Sequence, residues 1–211
     1  MKPVSLIHGL LFLLGLAINF AAWGEEKNDQ NLYQHRGEIN AKSLTELKAY
    51  LNQHPETKGI LFINSPGAGS DSHNLFKEYL ALIDQYKLAT NARGYCASLC
   101  ASIFLMGYGK YLGSAEQDEE TVLQIHPIFS EGQPYYQATL MQQAIVAKRN
   151  PWYNEKPFYK LYDIKDSTGW IRIFRQARSG HHVFFQERLG KKLIPISDQP
   201  LSYFDIGVID E

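Results

Sequence analysis

The sequence predicts an α/β fold in which helices pack on a mainly parallel sheet, and three observations carry that expectation. "KGILFIN" (Lys58 to Asn64) is a short unbroken apolar run with β-branched residues, the pattern of a strand buried on both faces. The segments on either side of it carry leucines and aromatics at helical spacing. The unit of strand, Gly-containing turn and helix then recurs in outline, which argues a stack of right-handed βαβ units.

Taken in order, Lys2 precedes an apolar run, "LIHGLLFLLGLAINFAAWG", that only His8 and Asn19 interrupt, and polar "EEKNDQN" follows at once. That order is the n-region, h-region and exit of a secretory signal, so residues 1–24 are expected to be removed and 25–31 to form a linker. Residues 32–211 are expected to form one domain. An uncleaved anchor helix ranks second, and membrane contact is expected only in that case. "LYQHRGEI" (Leu32 to Ile39) reads as a strand. "SLTELKAYLNQHP" opens with a capping box of Ser43 and Glu46, places Leu44, Leu47 and Leu51 on one face, and stops at Pro55.

After Lys58 to Asn64 the chain breaks at "SPGAGS" and enters a helix with Leu75, Tyr79, Leu82, Ile83 and Tyr86 on its apolar side. "KLATNAR" reads as the next strand, "GYCA" as a turn, and "SLCASIFLMGYG" as a central helix apolar nearly all round. "ETVLQIHPIF" supplies a third buried strand through Val122, Leu123 and Ile125, ending at His126 and Pro127. A helix with Tyr136, Leu140, Met141, Ala144 and Ile145 on one face follows. The aromatic-rich stretch from Trp152 to Gly190 reads as one or two helices with loops, and "LIPISDQPLSYFDIGVID" as a strand, a brief helix and a final strand.

The chain has 211 residues, 45% of them hydrophobic and 20% charged, enough for one well-buried core. A formal charge of -1 without any basic run excludes a nucleic-acid partner from the expectations. Two cysteines four residues apart, Cys96 and Cys100, do not make a disulfide framework, but in an exported chain they are a candidate pair if Cys96 lies outside the helix. Neither cofactor nor metal is expected. His181 and His182 lack neighbouring Cys or carboxylate at ligand spacing and read as a loop or surface pair. Trp152 to Tyr162 reads as core or subunit contact.

In such a sheet, ligands bind beyond the carboxyl ends of the strands. Three features fall there: "NSPGAG", "GYCAS" and His126. Singly each has a plain structural reading, as a tight turn, an N-cap and a strand-end histidine. Together they form a candidate hydrolytic site. Ser98 at a helix start exposes its hydroxyl beside the amide of Leu99, one of the unpaired helix donors. Gly67 or Ala68 offers a second amide for an oxyanion hole, typically worth about 10² to 10³ in rate per donor. His126 is the candidate general base.

These residues bear a resemblance. "INSPGAG", "GYCASLCASIFLMG", "KYLGSA" and "VLQIHP" resemble the proteolytic subunit of Clp-type proteases, within the ClpP/crotonase superfamily, and the chain's end is similar to that family's closing segment. The "CASxC" version beside a signal peptide looks most like exported, ClpP-like proteins of bacteria. The resemblance runs from about Gly37 to His126 and resumes near Leu193. It implies a ClpP/crotonase-like fold, a nucleophilic Ser98, a basic His126, an oxyanion site at Gly67, Ala68 and Leu99, a peptide or small acyl substrate and a homo-oligomer. Three departures matter. Ala68 replaces the second glycine of the oxyanion turn, the histidine segment is shortened to "IHP", and no acid stands in the family's third position, the nearest candidates being Asp198, Asp163 and Asp166. No ATPase partner is expected, because the docking segments of that family are missing and an exported chain meets no ATP.

The expected function is therefore that of an exported, periplasmic or secreted serine peptidase working without ATP. A non-catalytic scaffold or binding protein of the same fold is the alternative, and thiol chemistry at Cys96 and Cys100 a third.

Overall fold

The computed structural model describes residues 31–69, 71–116, 119–130, 133–151, 169–187, 190–196 and 209–210. The expected signal segment and most of the linker, Asp163, Asp166, Asp198 and the Trp152 to Tyr162 cluster lie outside the described residues.

The first half of the fold alternates as the periodicity requires. Strand β1 (Leu32–Arg36) leads to helix α1 (Ala41–Gln53), strand β2 (Gly59–Ser65), helix α2 (Ser72–Tyr86) and strand β3 (Ala89–Ala97). The three strands lie side by side and parallel, β2 in the middle. Leu44, Leu47 and Leu51 of α1 and Leu75, Phe76, Tyr79, Leu82 and Ile83 of α2 share one core with Ile60 and Phe62 of β2. Leu47 and Leu51 are wholly buried; each such side chain contributes about 1.5–3 kcal/mol of hydrophobic stabilisation. The helix start differs from the expected one. Asn40 caps α1, its side chain accepting from the Ser43 amide while Ser43 Oγ accepts from the Asn40 amide, so Ser43 closes the box that Glu46 was expected to close.

Strand β3 runs straight through "GYCA", which composition reads as a turn. Gly94 (φ 71°) makes a kink there instead of a reversal. A Cβ on Gly94 would lie 1.8 Å from Asn64 Oδ1, so the space is filled by the Asn64 amide. Asn64, itself left-handed at φ 49°, accepts from the Tyr95 amide at 3.1 Å, and Thr121 Oγ1 accepts from the Gly94 amide at 3.0 Å. Side chains thus satisfy the amides that the kink takes out of the ladder. Its first half, Thr90 to Ala92, pairs with β4 (Lys110–Leu112), and its second half, Tyr95 to Ala97, pairs with β5 (Val122–Ile125), both parallel.

Beyond β3 comes α3 (Leu99–Phe104), only six residues where a helix to Gly109 is expected. After β5 lie a small hairpin, β6 (Phe129–Ser130) and β7 (Gln133–Pro134), and helix α4 (Tyr136–Arg149). α4 turns in the opposite face from the one its large apolar residues mark. Thr139, Gln142, Val146 and Ala147 are buried, while Tyr136, Leu140 and Met141 are exposed.

The region from Trp170 also departs from expectation. It is not helical but a hairpin of β8 (Trp170–Arg178) and β9 (His181–Gln186), extended by β10 (Leu193–Pro195). β8 joins the sheet antiparallel to β5, and β9 and β10 follow antiparallel in turn. A final short strand, β11 (Ile209–Asp210), pairs parallel with β4. Among the described residues the main sheet has nine strands, with a parallel half built from βαβ units and an antiparallel half built from hairpins. The α/β architecture on a mainly parallel sheet is present.

Candidate active site

Because β2, β3 and β5 are parallel, their carboxyl ends lie at one edge of the sheet, and the three sequence features arrive there together. Ala97 pairs with Gln124, and the Ser98 amide donates to the Gln124 carbonyl at 2.9 Å. His126 therefore follows two residues after the partner of Ser98 on the neighbouring strand.

Ser98 has φ 57° and ψ -122°, a conformation that an L-residue reaches only when its surroundings impose it, at a cost of about 1–3 kcal/mol. The chain reverses sharply at this residue, between a strand and a helix, and its side chain is half-buried. Such a turn pushes a serine hydroxyl out at the head of the helix, where a substrate carbonyl can meet it. With only six residues in α3, the helix dipole is small. The useful donor is the Leu99 amide itself, which as the first helical N–H has no acceptor within the helix.

Gly67 supplies the opposite wall. It stands at φ 91°, and a Cβ there would come within 2.8 Å of Ser98 Cβ, 2.8 Å of the Leu99 nitrogen and 2.6 Å of the Ala97 carbonyl oxygen. Only glycine lets these two backbones approach so closely. The Gly67 turn is anchored on its far side as well. Its carbonyl accepts from the Ile39 amide at 2.8 Å, and the Gly69 amide donates to Glu38 at 2.9 Å. The Gly67 amide meets Ser65 Oγ at a long 3.4 Å, and Ala68 beside it is half-buried against the core. The structure thus brings Gly67, Ala68, Ser98 and Leu99 together.

Cys96 and Cys100 are disulfide-bonded, with Cα atoms 5.3 Å apart. Cys96 is in β3 and Cys100 in α3, so the bridge spans the reversal at Ser98 from a strand to a helix rather than one helical turn. Neither cysteine is a free thiol.

His126 is half-buried at the end of β5. Its Nδ1 lies 2.6 Å from the Pro127 carbonyl oxygen. A carbonyl can only accept, so this contact puts a proton on Nδ1 and makes Nε2 the basic nitrogen of the neutral ring. The ring packs between Phe129 and Trp170, with centroids 5.5 and 5.7 Å away. Among the described residues no hydrogen bond joins Ser98 to His126. Trp170 and the Gln124 carbonyl are contributors that motif reading does not find. The Trp170 signal is the alternation of "WIRIF", in which Ile171 and Ile173 go to the core and Trp170 and Arg172 to the other face. Arg172 sits over the Trp170 ring at 5.6 Å, its basicity lowered by burial and by Arg178 nearby.

His181 and His182 lie in strand β9, where His182 Nδ1 meets the Phe174 carbonyl at 2.9 Å. Among the described residues no cluster of His, Cys, Asp or Glu has the arrangement to hold a metal ion, and no helix is long and apolar enough to cross a membrane.

No protein-family model matches this chain, and no curated protein matches it by sequence. Among solved structures, a point mutant of ClpP1 from Listeria monocytogenes is similar over 58% of this chain and 74% of its own, with 17% identity and a TM-score of 0.45.

Proposed function

We propose that this protein is a serine hydrolase that cleaves peptides, with Ser98 as nucleophile and His126 as base. The observation that carries the reading is the backbone of Ser98: a strained strand-to-helix reversal packed directly on Gly67, with two turns of backbone facing one place. Ser98 Oγ attacks the substrate carbonyl, and His126 Nε2 takes its proton and returns it to the leaving amine. The Pro127 carbonyl holds the ring by Nδ1. The oxyanion is held by the amide of Leu99 and that of Gly67 or Ala68. The Ser98 to His126 hydrogen bond forms as substrate fills the site, since catalytic contacts tighten in the Michaelis complex.

The reading extends to an exported, ATP-independent enzyme of a bacterial envelope or its surroundings, working as a homo-oligomer. The N-terminal sequence and the disulfide support export; the motif resemblance supports the oligomer. A second reading, a non-catalytic binding module, is favoured by the missing Ser98 to His126 bond and by the Ala68 methyl in the oxyanion turn. A fluorophosphonate probe separates the two. Labelling of the folded chain at Ser98, located by mass spectrometry and lost in Ser98→Ala, supports the hydrolase. A folded chain that stays unlabelled supports the binding module.

A further inference from the structure

The turn at Ser98 is held unequally on its two sides. On the strand side the hold is extensive. Cys96 pairs with Ser65 on one neighbour and Leu123 on the other, Ala97 pairs with Gln124, and the Ser98 amide donates to Gln124. On the helix side there is one short element. A six-residue helix does not sustain itself, because nucleation costs more than so few hydrogen bonds return. Its hydrogen bonds to the turn come from Ser102, whose amide and Oγ reach the Ser98 carbonyl at 3.2 and 3.4 Å. If the strand simply continued through Ser98, the Cα atoms of Cys96 and Cys100 would stand about 13 Å apart. The disulfide holds them at 5.3 Å. It therefore forbids the extended alternative and ties the start of α3 to the last fully paired part of β3. Both cysteines are wholly buried in the main core.

We propose that the Cys96–Cys100 disulfide is the clamp that keeps Ser98 in its reactive conformation, so that the site becomes competent only when the chain folds under oxidising conditions. The activity part of this inference rests on the serine-hydrolase reading; the conformational part does not. The bond forms by thiol–disulfide exchange with an oxidant of the disulfide class. One cysteine thiolate attacks the oxidant's disulfide to give a mixed disulfide, and the second attacks the protein's sulfur in that bond and expels the oxidant's thiolate. One S–S bond is made in the protein, one is broken in the oxidant, and two protons pass from the cysteines to the oxidant's thiolates. Burial of both sulfurs keeps reductants away from the folded product, so the clamp is set once, at folding, rather than toggled. A chain still in a reducing compartment would carry an unclamped Ser98 and little hydrolytic activity.

The test compares three forms of the full chain: oxidised wild type, wild type refolded in a phosphine reductant, and the C96A/C100A variant. The reduced wild type keeps both sulfur atoms in place and so controls for lost volume. Amide hydrogen exchange is read at Ser98 and Ser102 in the turn and at Ile171 in the central strand β8, alongside the rate of fluorophosphonate labelling. The clamp predicts at least tenfold faster exchange at Ser98 and Ser102 without the bridge, unchanged exchange at Ile171, and labelling slowed at least tenfold. Unchanged exchange at Ser98 and Ser102 overturns it, as does labelling of oxidised and reduced chains at the same measurable rate. Loss of protection at Ile171 in both unbridged forms also overturns it, because the bridge would then hold the whole fold rather than the turn. If the turn loosens as predicted but oxidised wild type takes no label, the clamp stands and the hydrolase reading fails.

Discussion

Among the described residues two serines hold a left-handed backbone, Ser98 at φ 57° and Ser179 at φ 51°, and the reasons differ. Ser179 and Gly180 form the two-residue loop between β8 and β9, flanked by the pair Arg178 and His181, and both have positive φ. A tight hairpin asks for that, because a turn with both central residues at positive φ matches the twist of its strands. Sequence neighbours explain Ser179 completely. Nothing in the local chain asks for it at Ser98, where a strand meets a helix. The conformation there is imposed by residues that are remote in sequence, Gly67 and Gln124, and by the disulfide across the turn. Strain that local turn chemistry accounts for is architecture, and strain that distant groups enforce points to a site.

The largest expected effect tests the hydrolase directly. Ser98→Ala should reduce hydrolysis of a fluorogenic peptide or activated ester by at least about 10³-fold, and His126→Ala by about 10²- to 10⁴-fold. Ser179→Ala should leave the rate unchanged. Steady-state assays on the folded variants check all three. Comparable losses at Ser98 and Ser179 would show that the two strained serines do not differ in function.

Next come the glycines facing each serine's environment. Gly67→Ala should lose about 2–4 kcal/mol of stability, from a forbidden φ of 91° and from a Cβ driven to 2.8 Å of Ser98 Cβ, and should depress activity with it. Gly180 also has positive φ, at 81°, but a Cβ there meets nothing within 4 Å. Gly180→Ala should cost only about 1 kcal/mol and leave activity intact. Urea midpoints of the two variants measure the gap. Equal costs would mean that the close approach at Gly67 contributes nothing beyond backbone strain.

Acid should weaken the fold through β1. His35 on β1 is 3% exposed, and burial lowers its pKa below the ordinary value of 6.5, against the smaller opposing pull of the Gly37 carbonyl. The unfolded chain keeps the ordinary value, so below about pH 6.5 it binds a proton that the folded chain refuses. The contribution to stability is full above that pH and falls as pH drops, until the lowered folded pKa is passed. For one proton the slope is at most about 1.4 kcal/mol per pH unit. Between pH 7.5 and 5 the denaturation midpoint of wild type should fall relative to that of His35→Leu. Parallel curves would remove His35 as the cause.

The two halves also differ in how much their sequence discloses. β1, α1, β2 and α2 are legible because each is amphipathic or wholly apolar with a breaker at its end, and the packing follows the pattern. β3 is misread at "GYCA" because a glycine and small residues look like a reversal when the chain only kinks. What decides between them is Asn64, thirty residues earlier, whose amide fills the missing Cβ. The same extension of β3 puts Cys96 in a strand, which is why a bridge over four residues is feasible. β8 carries a period-two alternation, but its arginines and tryptophan give it the composition of a surface loop. α4 hides its burial for the reverse reason, since Thr139 and Gln142 go inward while Leu140 and Met141 face out. The candidate site was visible as spacing between motifs; the conformation of Ser98, the Pro127 contact and the Trp170 wall were not, because each depends on tertiary neighbours.

The smallest expected effect is the most direct probe of the two serines. Replacing either by glycine removes the Cβ that makes positive φ costly. Ser179→Gly should therefore stabilise the protein by roughly 0.5–1 kcal/mol, the strain relieved less the extra entropy of an unfolded glycine. Ser98→Gly should yield a similar gain if the Ser98 side chain is held for chemistry and contributes little to packing. Its hydrolysis should nonetheless fall as far as that of Ser98→Ala. The informative quantity is the sign of the stability change at position 98, read from thermal midpoints measured side by side. A gain there with activity abolished is what a site that trades stability for function predicts. A loss of more than about 1 kcal/mol would mean that the hydroxymethyl group is itself part of the core contact with Gly67, and the strain at Ser98 would then be structural, like that at Ser179.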